Sequence, residues 1–400
     1  MQSKHTYVIV GSGLAGISAA EGIRELDNAG SILVLGREPD LPYDRPPLTK
    51  QLWFGKKQVE DVFLHSRSWY EASGIELVGS RSVRRLDVAG KAVVDDAGDR
   101  HSYEKLLLAT GGEPRRLAIP GGDLEGICYY RTLADYGRIR AQAQPGRAAV
   151  VIGGGFIGSE LAASLSHTGS NVTMIFPDSY LGQRVFPEGL GRATQKLYQE
   201  HGIRILNGDV PTSIIRDGDR FITSTRSGTQ VPSDFVIAGI GIRPSVELAQ
   251  EAGLATDDGI VVDDRLQSAH PDVYVAGDVA RFPYATLGRP MRLEHWDNAQ
   301  VQGKHAGRNM AGAAEPYLHM PYFYSDLFEL GYEAVGEISS KLETFADWQD
   351  ENHKGVIYYL AGGRVRGAMM CNVWDKVEAA RQLIRAGAPH SPSSLRGAIR

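Results

Sequence analysis

The sequence predicts an α/β chain of two Rossmann-like modules, the second inserted in the first, followed by a small C-terminal α+β domain. Three observations predict it. Two glycine-rich loops, GSGLAG at 11–16 and GGGFIG at 153–158, each follow a short apolar run. Each loop also opens a stretch with helical spacing, so each marks a strand–loop–helix unit. Downstream of the second unit, VYVAGD at 273–278 reads as one more buried strand, and it is expected to return to the first module.

Taken in order, TYVIV, the first loop, ISAAEGIREL and SILVLG form one βαβ unit. REPDLPYDRPPLTK holds four prolines and several charges, which rules out a core strand and predicts an ordered loop. Short strands with Gly and Asp turns follow, ending in the buried strand KLLLAT. RAAVVIGGGFIGSELAASLSHTGSNVTMIF repeats the βαβ pattern, and DFVIAGIG closes it. A long helix is expected over DNAQVQGKHAGRNMAG, and the tail from about residue 316 reads as several strands and one helix. The expected domains are 1–115 with 246–315, 116–245, and 316–400.

With 400 residues, 42% apolar and 23% charged, the chain is long enough for two or three domains with sizeable cores. A net charge of −5 gives no basic field, so nucleic acid is not an expected partner. No apolar run reaches the ~20 residues that span a bilayer. MQSKHTY runs straight into a strand without a signal-peptide core, so a cytoplasmic location is expected. Cys128 and Cys371 belong to no Cys-x-x-Cys pair and no zinc-spaced cluster, and no metal site is expected.

In G-x-G-x-x-G the first glycine permits the tight turn, the second lets a pyrophosphate approach the backbone, and the third lets helix and strand pack closely. Gly11, Gly13 and Gly16 fill these roles in the first loop, and Gly153, Gly155 and Gly158 in the second. Leu14, Ala15 and Ile157 are the intervening loop positions expected at the nucleotides. Glu38 and Asp178 each lie about twenty residues beyond the third glycine, where a carboxylate accepts from ribose hydroxyls. Asp178 would repel a 2′-phosphate and no Arg or Lys follows at once in FPDSYLGQ, so NADH is preferred to NADPH; Arg184 leaves NADPH open. Two dinucleotide-binding domains in one chain point to FAD on the first and NAD(H) on the second, with hydride passing between their rings.

LPYDRPPLTK, LLLATGG, GGGFIGSELA, VYVAGDVA, EHWDNAQVQGKHAGRNM and YFYSDL, in this order, resemble the FAD-dependent NAD(P)H:ferredoxin reductase family, within the pyridine nucleotide-disulfide oxidoreductase-like superfamily. KQLWFG, YEKLLLATGGEPR, FELGYEAVG and CNVWDKVEAARQLI resemble its apoptosis-inducing-factor branch. The chain departs from that branch: no mitochondrial targeting segment is recognised, and two insertions, after LWF and between GYEAVG and GVIYYL, are missing. Nuclear import and DNA-linked activity are therefore not carried over.

The resemblance implies that Arg45 pairs with the FAD pyrophosphate. Lys50 would lie near flavin N5, ion-paired with Glu160, and Phe156 would cover the flavin's entry face. It places Arg131 and Asp278 on FAD, Val83 and Thr110 along the adenine and ribityl path, and His295 and Trp296 at the ring edge. Tyr324 would lie beside the ring, and Glu333 and Asn372 would touch NAD. Arg37 beside Glu38, Gly111 and Gly241 in the glycine ends of the closing strands, and Glu294 before the long helix complete the expected cofactor contacts. Three of these assignments have independent chemistry. Asp278 follows a buried strand and a glycine, so it can accept from a ribityl hydroxyl. A buried Lys50 needs an acid, which Glu160 supplies. A helix opening near Glu294–Asn298 would stabilise negative charge on a reduced flavin.

Where a disulfide reductase of this fold carries its thiols, this chain has PPLTK, which excludes cysteine-relayed reduction. The first expectation is an NADH-dependent flavoenzyme whose acceptor is a ferredoxin-like iron–sulfur protein. It would dock on a basic patch drawn from Arg281, Arg289, Arg292, Arg364 and Arg366. The alternative is a slow NADH oxidase and redox sensor that holds a lasting flavin–NAD complex and dimerises on reduction, with 316–400 as the interface. A homodimer is left open under both, and a quinone or oxygen acceptor also stays open.

Overall fold

The computed structural model describes residues 2–399 and divides into two units, each discontinuous in sequence. The first comprises residues 1–44, 60–113 and 243–321. Its sheet runs Ile75–Val78, Ile32–Leu35, Gln2–Val10, Arg100–Leu108, Ala92–Asp95 and Val83–Asp87. Val273–Val275 adds a parallel strand beside Leu106–Leu108, so VYVAGD does return to the first module. Val8, Ile9, Leu33, Val34, Leu106 and Leu107 are fully buried, as the two-sided cover of a parallel sheet requires. The helix Leu14–Arg24 packs on Trp296–Met310 through glycines. A Cβ on Gly303 would lie 2.2 Å from the Ala15 carbonyl oxygen, and one on Gly307 2.0 Å from that of Ala19.

The second unit comprises residues 45–59, 114–242 and 322–400. Its parallel sheet runs Arg204–Asn207, Asn171–Phe176, Ala148–Ile152, Phe235–Ala238 and Ile127–Cys128, with a three-stranded antiparallel sheet over 211–233. The C-terminal part is an antiparallel sheet in the order Tyr322–Leu327, Leu330–Gly336, Arg364–Cys371, Lys354–Ala361 and Glu343–Asp350. The amphipathic helix Val377–Ala386 packs on it, and a short helix, Pro392–Leu395, not anticipated from sequence, buries Leu395. The proline-rich stretch is an ordered loop containing a 3-10 turn, Pro46–Thr49. Trp53 and Tyr130 both donate to the Leu48 carbonyl, which fixes this turn within the second unit. No helix among the described residues is long and apolar enough to cross a membrane.

Candidate functional site

The two glycine loops place the same backbone demands on their glycines. Gly11 has φ +114° and Gly153 φ +115°, a region open to glycine, and a Cβ on either would meet a strand-end carbonyl oxygen at 2.2 or 2.3 Å. Gly16 and Gly158 pack against the carbonyls of Gly11 and Gly153, where a Cβ would lie 2.0 and 2.2 Å away. Gly13 and Gly155 differ: a Cβ there meets nothing within 4 Å. Both are N-caps, of Leu14–Arg24 and Phe156–His167, and neither helix has a side-chain cap or an acid in its first turn. Two helix ends with uncapped N–H groups and open space above the capping glycine are fitted to two pyrophosphates.

Around the first loop, Glu38 accepts from Tyr43, and Arg37 is ion-paired with Glu113 at 2.7 Å. Thr110 donates to the Ser245 carbonyl at 2.8 Å, and Gly111 adopts φ +64°. Val83 opens the strand Val83–Asp87 at a bulge. Trp296 Nε1 donates to Asp44 at 2.8 Å, and His295 N-caps the helix that Trp296 begins. The Asp278 carbonyl takes Arg292 Nη1 at 3.1 Å.

Burial pulls the His295 imidazole down to about 4, against the opposing pull of Asp278 and Asp297. A histidine held below its unfolded value of about 6.5 stays neutral in the fold. It contributes stability that is complete above that pH and falls away as pH drops through 6.5 toward 4. We expect a loss of roughly 3 kcal/mol across that window. Urea titrations at pH 7.5, 6 and 4.5 should show His295→Gln losing less than the wild-type chain. Parallel losses would assign the acid sensitivity elsewhere.

Around the second loop lies a buried charge cluster. Lys50 Nζ meets Glu160 Oε1 at 2.6 Å, with side chains 8% and 4% exposed. Glu160 also accepts from Ser325 Oγ at 2.6 Å on the same oxygen, and from Thr49 Oγ1 at 2.5 Å on the other. The Lys50 ammonium lies 5.2 Å from the Tyr324 ring centroid, a cation–π distance. Phe156 and Ile157, in the first turn of their helix, are 42% and 41% exposed, and the Phe156 ring lies 5.3 Å from Phe323. Apolar groups left in water above an uncapped helix end offer a stacking surface to a planar ring.

Arg45 Nη1 donates to the Arg131 carbonyl at 2.5 Å. Gly241 has φ +93°, and the Asp178 carbonyl takes the Gly208 N–H. Glu333 faces Tyr324 across the strand pair, and burial, then Asp375, push its carboxyl up. Asn372 has φ +48°, and its amide is engaged with Gly331, Glu329 and His353.

Sequence reasoning missed Thr49 and Ser325. The available signal was strand alternation, which turns Ser325 to the face opposite Tyr324. Arginines of the expected docking patch are locally engaged, Arg366 with Glu337 at 3.3 Å. Arg292, only 9% exposed, is held by Glu294 and Asp258, and Arg281 pairs with Asp257. Burial removes Arg292 from any docking surface. Both cysteines are buried and burial pushes both thiols up to about 12, so neither supplies a thiolate near neutral pH.

Residues 5–303 match the family described as pyridine nucleotide-disulphide oxidoreductase. Residues 306–353 match apoptosis-inducing factor, mitochondrion-associated, C-term. The chain is 36% identical over 398 residues to the ferredoxin–NAD(+) reductase component of the anthranilate 1,2-dioxygenase system of Burkholderia cepacia, covering 98% of this chain and 97% of that protein. It is 33% identical to the peroxisomal monodehydroascorbate reductase 4 of Arabidopsis thaliana, covering 91% and 78%. Among solved structures, a chain of the covalent putidaredoxin reductase–putidaredoxin complex superposes with a TM-score of 0.92 at 31% identity, covering 98% and 95%.

Proposed function

We propose that this chain, which belongs to the pyridine nucleotide-disulphide oxidoreductase family and is a flavoprotein oxidoreductase, takes hydride from NADH and delivers electrons to a small iron–sulfur protein of the ferredoxin type. The observation that carries this reading is the pair of glycine loops with matching backbone demands in a chain whose two cysteines are both buried. FAD, when bound, supplies the chemistry that accepts a hydride and releases electrons one at a time.

In this reading the first loop, with Glu38 and Asp278, holds FAD, and the second, with Asp178, holds NADH. Phe156, exposed in the first turn of its helix, would offer its ring to the nicotinamide. Lys50 would present an ammonium to negative charge on a reduced flavin, and Glu160 would hold that ammonium in place. With no thiolate to relay electrons, the acceptor must be one that takes them directly. The relatives named for ferredoxin and putidaredoxin reduction support an iron–sulfur acceptor. A carboxylate at Asp178 supports NADH as donor.

Anaerobic stopped-flow with NADH and NADPH tests the donor: NADH should bleach the flavin band at least ten-fold faster. Steady-state turnover with a panel of [2Fe–2S] ferredoxins tests the acceptor. The reading fails if none raises NADH consumption above its rate in air. The match of 306–353 to the apoptosis-inducing-factor C-terminal family favours a second reading, a slow NADH-responsive sensor. It predicts a long-lived reduced species in air and a change of oligomeric state on adding NADH.

A further inference from the structure

We infer that Ser325 is a positioning residue through which the C-terminal sheet orients the Glu160 carboxylate, and with it the Lys50 ammonium. A glutamate's terminal torsion is broad and has no sharp rotamer wells, so its two oxygens are fixed in space only by what they bond. Thr49 fixes Oε2 and Ser325 fixes Oε1. Lys50 shares Oε1 with Ser325, and therefore lies where that oxygen has been put. Remove the Ser325 hydroxyl and the carboxylate keeps one anchored oxygen, about which the other can swing, carrying the lysine with it.

Ser325 itself is held in turn. It is 1% exposed and stands directly opposite Tyr332 in the Tyr322–Gly336 hairpin. Tyr332 is likewise 1% exposed. The Tyr332 ring is clamped edge-on to Phe186 at 5.5 Å. Strand alternation sends Ser325 and Tyr324 to opposite faces, yet the Lys50 ammonium lies by the Tyr324 ring and bonds the same Glu160 oxygen as Ser325. Tyr322–Leu327 is an edge strand, which lets one lysine pass beside it. The hairpin thus sets both the ring beside the ammonium and the anchor of its counter-ion.

The inference rests on the proposed function for its consequence, though not for its geometry, and the test separates the two. Ser325→Ala should slow flavin reduction by NADH about ten-fold while changing the NADH dissociation constant less than two-fold. Ser325→Thr should restore the rate. Independently, urea denaturation of the purified chain should show Ser325→Ala lowering the folded-to-unfolded ratio about ten-fold. In a Lys50→Met/Glu160→Leu background, where no carboxylate remains, the same change should lower it less than three-fold. Equal destabilisation in both backgrounds, or a Ser325→Thr chain as slow as Ser325→Ala, would overturn the positioning role. A wild-type chain whose flavin NADH does not reduce would instead sink the functional reading, leaving the denaturation result to stand on its own.

Discussion

Glu160→Ala should destabilise the chain by about 3–5 kcal/mol, the loss seen when one member of a buried ion pair is removed. Lys50 would then hold an ammonium in a place 8% exposed with no counter-charge. The loss is not symmetric. Lys50→Met leaves Glu160 with two hydroxyl donors, Thr49 and Ser325, and should cost less. Replacing both partners, Lys50→Met with Glu160→Leu, should recover most of the stability, because an apolar pair of similar volume avoids the desolvation of two charges. It should not recover flavin reduction, which we expect to remain at least a hundred-fold below wild type. Denaturant midpoints and stopped-flow traces on the three variants separate the two quantities. A double variant that regains both would show that the ion pair serves the fold alone.

The second large effect comes from the capping glycines. Gly155→Ala should leave a folded, yellow chain that NADH reduces at least a hundred-fold less efficiently. Gly13→Ala should leave a folded chain that retains little or no flavin. A methyl at either position touches no protein atom within 4 Å, so the fold tolerates it, and the only thing it displaces is a ligand brought against the backbone. Gly16→Ala and Gly158→Ala are the controls: there the methyl would meet a backbone carbonyl at about 2 Å, and destabilisation is expected before any ligand is considered. Circular dichroism, flavin content after purification and NADH titration distinguish these outcomes. If Gly13→Ala keeps its full flavin complement, the first loop does not cradle the pyrophosphate.

These expectations could be framed largely because the glycine loops were legible in the sequence. A glycine at positive φ, or against a carbonyl, has no substitute, so the chemistry of the turn is written in residue identity. Lys50 and Glu160 were legible as a pair through the resemblance of PPLTK and GGGFIGSELA to the reductase family, and the cost of burying either alone agrees with it. Thr49 and Ser325 were not. A hydroxyl in a strand or a turn has the same composition whether it faces water or a buried carboxylate, and only the pairing of distant segments decides. Arg292 shows the converse. In sequence it joins Arg281 and Arg289 as surface charge, but the fold brings Asp258 beside it and, with Glu294, closes it off. The grouping of 45–59 with the second unit was equally hidden. It depends on Trp53, Tyr130 and Tyr136 meeting across more than seventy residues of intervening chain.

That discontinuity bears on how the molecule is made. Because Val273–Val275 completes the sheet begun by Gln2–Val10, the first unit cannot close on the ribosome until well over half of the chain has emerged. The partner hydroxyl for the Lys50–Glu160 pair arrives later still, with residue 325. During synthesis a nascent lysine and glutamate wait, still hydrated, for the last strands to be translated. Stalling or truncation before residue 322 would therefore yield chains with exposed strand edges and an unfinished charge cluster, species that quality-control proteases should clear rapidly.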